Sequence, residues 1–404
     1  MSRKLLIIIL IGLVLASLVP RGTAGGAKVI LWHAFTGGEA EALERVVKTF
    51  TAKYGIEVEL VNVPFDQLKN KILQAVPLGE GPDVYIGPHD WIGELARAGV
   101  IEPLDDLLTD EIRGEYLESG LVGVSYGGST YGLPESFKVP TLIYNKKLIE
   151  KPPEIIDELW ALMEEFKKKY GGEKVALAYD VMNAYFSSCW FHALSAYYLS
   201  PEDLSTNIDS PGGVKAFRIV AKFAEYLPPD IGYDMAVNYF LEGKSAMIIN
   251  GPWFVADLKK VFGEELADIG FALIPKVDGK WASPYMTVES VVMTRNAAER
   301  GVREEAFKLV RFLTTEGALV LAKEAGHVPA WKAAYEDPDV KGNRVIVAFF
   351  EQAKYATPMP NVPEMSVMWQ VVPGWLAKVY HGEVTPEEAA TNCAKELRDK
   401  LASL

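Results

Sequence analysis

Lys28-Val29-Ile30-Leu31-Trp32 is followed by Glu39 to Lys53, with Leu43, Val46, Val47 and Phe50 on one helical face, and then by the alternating stretch Ile56 to Val63. The apolar run reads as a buried strand, the 3.6-residue spacing as an amphipathic helix stopped at Gly55, and the alternation as a second strand. Asp66 to Val76 is again spaced as a helix, and Asp83-Val84-Tyr85-Ile86 as a third strand. Strand, helix, strand, helix, strand predicts an α/β fold with a parallel sheet, whose ligands bind beyond the carboxyl ends of its strands.

Working outward, the pattern breaks at Gly132-Leu133-Pro134 and resumes at Thr141-Leu142-Ile143-Tyr144, a strand expected to cross into a second lobe. Helices are expected over Ile156 to Lys169, Ala184 to Leu199 and Trp253 to Phe262, and strands over Lys174 to Tyr179 and Ser245 to Asn250. Pro252 suits the first turn of the Trp253 helix. From Glu336 the tail is helical except for the proline-rich Thr357 to Pro363. Two α/β lobes with more than one crossover is the simplest architecture, and ligands favour the cleft between such lobes.

At the N-terminus, Arg3 and Lys4 precede an apolar run from Leu5 to Val19 and the small residues Gly22-Thr23-Ala24. That is the layout of a secretory signal, expected to span residues 1–24. The run is shorter than the roughly 20 residues of a membrane helix, and an uncleaved anchor is the alternative. The chain is acidic, with a formal net charge of −13, and cutting after Ala24 removes Arg3, Lys4 and Arg21 and no acid. Such a surface repels nucleic acid, so function is sought among small ligands and protein partners. The two cysteines, Cys189 and Cys393, fall in apolar helical contexts outside any metal pattern. Two buried free thiols are expected, with a disulfide as the alternative.

Tryptophans recur where strands end: Trp32, Trp91, Trp253 and Trp369. A pyranose has flat C–H faces and a rim of hydroxyls, so it wants aromatic platforms and polar groups together. Asp90 beside Trp91 supplies both in one loop, although any single tryptophan can equally fill a core. Glu39, Asp90, Glu135 and Glu289 lie where they could face a cleft, yet no spacing pairs two of them as a glycosidase acid and nucleophile. Serine-hydrolase, zinc-protease and phosphate-loop motifs are absent from the sequence. His33 and His89, at two strand ends, are expected to be hydrogen-bonded structural residues. No catalytic residue, metal or cofactor is expected.

Four blocks carry a resemblance: Gly81-Pro82-Asp83-Val84 through His89-Asp90; Leu142-Ile143-Tyr144-Asn145-Lys146; Ala246 through Asn250-Gly251-Pro252-Trp253; and Met359-Pro360-Asn361-Val362-Pro363-Glu364-Met365-Ser366 with Trp369. In order and content they resemble the maltose/maltodextrin-binding proteins, solute-binding proteins of ABC importers. The resemblance implies a two-lobed periplasmic-binding-protein fold with three crossing segments, near Glu135–Leu142, Pro284–Thr287 and Trp331–Asp337. It divides the chain into 25–138 with 286–332, and 139–285 with 333–404. It implies a monomer that takes an oligosaccharide to a membrane permease. Trp253 and Trp369 match sugar-stacking tryptophans, Tyr185 a tyrosine packing on the sugar, Asp90 a hydroxyl acceptor and Met359 a pocket methionine.

The departures concern the polar rim. Thr36 and Gly37 stand where the family has an acid and a lysine, Trp91 where it has arginine, and Lys138 and Asn183 where it has carboxylates; Pro373 replaces another arginine. An aromatic floor with an altered rim leads us to expect longer, curved or cyclic α-glucans, with added stacking from Trp91, Phe35 or Trp281. Glu39 and Lys138 complete the expected ligand-binding set.

Overall fold

The computed structural model describes residues 28–403, so the expected signal segment 1–24 lies outside the described residues. Among the described residues, thirteen strands form two sheets and a small hairpin. The first sheet contains β1 (Lys28–His33), β2 (Glu57–Asn62) and β3 (Val84–Pro88). After these come the hairpin strands β4 (Ser125–Tyr126) and β5 (Ser129–Thr130), then β6 (Gly132–Lys138) in the first sheet and β7 (Thr141–Asn145) in the second. The second sheet is completed by β8 (Val175–Ala178), β9 (Ser245–Asn250) and β10 (Ile269–Ala272). The first sheet is completed by β11 (Tyr285–Met293), β12 (Val328–Pro329) and β13 (Thr357–Pro358).

The first sheet runs β12-β6-β11-β3-β1-β2, with β13 paired to the start of β11, and the second runs β10-β7-β9-β8. The expected parallel core is present where β1 pairs with β2 and β3. Both sheets are nevertheless mixed, because β11 runs antiparallel to β3 and β6, and β7 antiparallel to β9 and β10. The chain moves from the first sheet to the second at Val139-Pro140, returns between β10 and β11, and leaves again after β12. Arg344, at the start of the helix Arg344–Ala353, donates to the carbonyls of Glu265, Leu266 and Ile269, which anchors that tail on the second sheet.

Local chemistry sets the element ends. The helix Gly37–Tyr54 buries Leu43, Val46, Val47 and Phe50, and Gly55 closes it in the left-handed conformation (φ 67°), a cost that only glycine escapes. The helix expected to reach Leu199 stops at Ala193, and the chain turns at Ser195 with φ 62°. The Trp253 helix opens as a 3-10 turn, Pro252–Phe254, before Val255–Phe262 becomes α-helical. Strand β6 was hidden by Gly132 and Pro134, residues that argue against a central strand. A register shift lets Ser136 pair with Glu289 and Pro134 with Ser290, leaving Glu135 as the extra residue of a bulge.

One buried apolar cluster lies between the first sheet and its outer helices, including Val29, Leu31, Phe50, Val291 and Leu313. The other is continuous from Ile72 and Tyr85 through Val288 and Met359 to Leu142, Ile248 and Phe254. The two lobes are thus packed together. Cys189 and Cys393 are both buried free thiols, and burial raises the pKa of each.

Candidate functional site

Aromatic side chains of the second lobe meet the crossing strands. Asn183 caps the helix Ala184–Ala193 by accepting the Tyr185 N–H at 2.9 Å, which fixes the ring at the helix start. Tyr185 OH donates to Lys138 O at 3.0 Å and accepts from Thr287 Oγ1 at 3.0 Å, so it touches both β6 and β11. Its ring centroid lies 6.3 Å from that of Trp253, whose indole N–H donates to Tyr233 OH at 3.0 Å. Gly251 makes room for that indole: a Cβ there would come within 2.0 Å of the ring. Tyr185, Trp253 and Trp369 all keep accessible surface, whereas Trp190 and Phe254 are wholly buried.

Trp369, on the helix Met365–Tyr380 of the same lobe, donates through Nε1 to Asp90 Oδ2 at 2.8 Å. The other Asp90 oxygen is buried without a partner among the described residues. Burial raises the Asp90 carboxyl to about 6, against the pull of the Trp369 hydrogen bond. His89 is structural, as expected. The Val288 N–H donates to its Nδ1 at 3.0 Å, so Nε2 carries the proton and donates to Met359 O at 2.9 Å. Met359 is buried and joined to Met286 O through its own N–H. His33 likewise accepts the Phe35 N–H through Nδ1 at 3.1 Å.

Trp91 lies inside rather than on the surface. Its ring stacks on Tyr85 (6.4 Å, 29°), Gly87 leaves it space, and Phe65 covers its outer side at 5.4 Å. Phe65, 62% exposed at the start of the helix Phe65–Ala75, is the aromatic that meets solvent here. Trp281 packs elsewhere, under Lys276 (4.2 Å) and against Tyr355 (5.8 Å).

The altered rim forms a buried ionic group. Lys138 Nζ donates to Glu39 Oε1 at 2.8 Å, and His327 Nε2 reaches the same oxygen at 2.7 Å. His327 Nδ1 lies 3.0 Å from Glu135, which also accepts from Ser136 Oγ. The bulge brings Glu135 to that histidine. Phe35 closes the group from below, 5.1 Å from the Lys138 amine and 5.5 Å from the His327 ring. Burial opposes every charge here, yet Glu135 and Glu39 hold His327 above its ordinary value, and Lys138 and His327 hold Glu39 below its own. Lys138 Nζ also lies 3.0 Å from His327 Nε2, so amine and ring share the Glu39 oxygen. Glu289 is the neighbour left over; burial raises it to about 7, opposed by Lys138 and His327 and reinforced by the negative charges of Glu39 and Glu135.

Both ends of the cleft are bridged. Asp257 Oδ1 accepts the Gly38 N–H at 3.2 Å, Lys260 pairs with Glu41 at 2.8 Å, and Lys259 donates to Lys323 O at 2.7 Å. At the other end Asn361 accepts the Gly93 N–H at 3.3 Å and donates to Gly123 O at 2.7 Å and Ser125 O at 3.0 Å. No group of three or more potential metal ligands occurs among the described residues. Reading of single residues missed Phe65, His327, Asp257 and Asn361 as parts of this site, since their partners are distant in sequence.

The geometry agrees with what the chain is similar to. Residues 45–346 match the model of the family described as bacterial extracellular solute-binding protein. The chain is 31% identical over 362 residues to a maltotriose-binding protein of Pyrococcus abyssi, covering 88% of this chain and 78% of that one. It superposes on a maltose/maltodextrin-binding domain from Bdellovibrio bacteriovorus bound to maltotriose (TM-score 0.86, 25% identity, 93% of this chain and 100% of that one). It also superposes on the Thermus thermophilus maltotriose binding protein bound with maltotriose (TM-score 0.84, 27% identity, 92% and 100%). Two lobes, crossing strands between them and a match over most of the chain lead to one assignment: this protein belongs to the bacterial extracellular solute-binding protein family.

Proposed function

We propose that the chain is a receptor that binds malto-oligosaccharides and delivers them, unaltered, to an ABC importer. The observation that carries this is the aromatic border of the cleft: partly exposed Tyr185, Trp253 and Trp369 from one lobe, with Trp369 reaching the Asp90 carboxylate of the other. Aromatic faces next to an unsatisfied acceptor suit a sugar's C–H faces and hydroxyl donors. Trp253 and Trp369 serve as stacking plates, Met359 packs beneath, and Glu39, Lys138 and Phe35 support the polar floor. Trp91 acts through Phe65, which it backs, so added stacking for longer glucans falls to Phe65.

The mechanism is hinge closure, a transition seen in periplasmic binding proteins generally. The lobes are 25–138 with 286–332, and 139–285 with 333–404, and the ligand drives closure through contacts better made in the closed form. The protein works as a monomer outside the cytoplasm, released or tethered through its N-terminal segment, and performs no catalysis. Calorimetry with maltose, maltotriose, maltoheptaose and a cyclodextrin, with recovery of intact sugar, tests the reading. Tightest binding to maltose or to a disaccharide of another linkage overturns the preference for long or cyclic glucans, and hydrolysis overturns the receptor.

A further inference from the structure

Strand β11 runs through the middle of the first sheet between β6 and β3. From Val288 to Met293 every residue is buried except Glu289, which keeps partial solvent access. Met286 and Glu289 are the partly accessible positions of β11, and a side chain so placed on a central strand faces a space inside the molecule. Thr287, two positions before Glu289, shares its face of the pleat, and the Thr287 hydroxyl reaches Tyr185 OH at 3.0 Å. The Glu289 charge also acts on the Tyr185 phenol, helping burial to raise it. Glu289 therefore stands on the floor of the gap that Tyr185 and Trp253 border. Its carboxylate makes no hydrogen bond to the described residues, while Glu39, Lys138, His327 and Glu135 satisfy one another beside it.

An unpaired carboxylate beside two others is costly unless donors arrive from elsewhere. An ionised carboxylate only accepts, through two oxygens, so its natural partner is a pair of adjacent hydroxyls on a neutral ring. We propose that Glu289 is a specificity-determining ligand contact that accepts hydrogen bonds from a hydroxyl pair of the sugar ring held against Tyr185 and Trp253. This rests on the receptor reading above. The titratable groups around it are Glu39, Glu135, Lys138 and His327, with Tyr185, Tyr85, Asp90 and His89 beyond. Glu39 is lowered, Lys138 and His327 are raised, His89 is lowered to about 4 and the phenols of Tyr185 and Tyr85 are raised. Glu289, raised to about 7, and Asp90, raised to about 6, both change charge between pH 5 and 8.

The test is maltotriose titration of wild-type protein, Glu289→Gln and Asp90→Asn from pH 5.5 to 8, with melting of each ligand-free protein. Glu289→Gln is expected to bind about 10- to 100-fold more weakly at pH 8 and to lose the part of the pH dependence that Asp90→Asn retains, with ligand-free melting unchanged or raised. Wild-type affinity and an unaltered pH profile in Glu289→Gln overturn the inference. So does weak binding that merely follows lowered ligand-free stability. Failure of the wild-type protein to bind any α-glucan overturns the receptor reading itself, and this inference with it.

Discussion

The Asp257 carboxylate of the helix Val255–Phe262 accepts the Gly38 N–H at 3.2 Å, and so caps the helix Gly37–Tyr54 of the opposite lobe, whose own N-cap residue Thr36 makes no side-chain bond. The glycine pair makes the approach possible. Gly37 is left-handed (φ 52°), and a Cβ on it would lie 2.4 Å from the Asp257 carboxylate. Where the resemblance implied an acid and a lysine for the ligand, this chain has a contact between its lobes.

A helix cap contributes about 1 kcal/mol, roughly a fivefold change in a closed-to-open equilibrium. Asp257→Ala should therefore enlarge the radius of gyration of ligand-free protein in small-angle scattering and weaken glucan binding several-fold. The exposed Lys260–Glu41 pair should matter much less, because solvent screens it. An Asp257→Ala protein as compact as wild type would show that the cap does not hold the lobes.

Lys138→Met removes the buried amine that pairs with Glu39. Breaking a buried pair from one side costs about 3–5 kcal/mol, whereas replacing both partners is far milder. Denaturant unfolding should show a large loss for Lys138→Met and partial recovery in Lys138→Met/Glu39→Gln. Equal losses in the two proteins would remove the case for coupling.

Burial raises Asp90 to about 6, above its unfolded value, so the folded chain holds a proton that the unfolded chain has already released. The stability associated with that proton is full below the ordinary carboxylate range and is lost as pH rises through about 6. Asp90→Asn should match wild type near pH 4 and exceed it at pH 8, by on the order of 1–3 kcal/mol. Glu39 works the other way, since its depressed value contributes stability above the ordinary range that acid removes. Identical pH–stability curves for wild type and Asp90→Asn would contradict the assignment.

Trp253→Ala and Trp369→Ala should each weaken glucan binding by a few kcal/mol, as loss of a stacking anchor does. Trp281→Ala, whose ring packs on Lys276 and Tyr355, should leave affinity within twofold of wild type, within roughly 0.5 kcal/mol. Fluorescence titration with maltoheptaose ranks the three. Equal effects in all would dissolve the distinction between cleft and surface tryptophans.

Local pattern carried much of the fold. The strands β1, β2, β3, β7 and β9, and the helices between them, were legible because side-chain period and terminal glycines act over a few residues. The structural histidines and the free thiols were also foreseen. Strand β6 was not, because Gly132 and Pro134 read as a break, and only the β11 partner and a bulge make it a strand. The mixed character of the sheets was equally a matter of long-range pairing.

The site divides in the same way. Strand-end aromatics pointed to Trp253, Trp369 and the Asp90 loop, and the resemblance implied Tyr185 beside them. The ionic floor could not be read so. Glu39 meets Lys138 across 99 residues and His327 across 288. Nothing local distinguishes these charges from ordinary surface groups. The sequence alone determined which residues could form strands, helices and aromatic platforms, since those are short-range properties. Tertiary structure decided which charges pair, that Trp91 turns inward beneath Phe65, and that Glu289 is left unpaired. Burial and proximity, which set the energies of charges, exist only once the chain has folded.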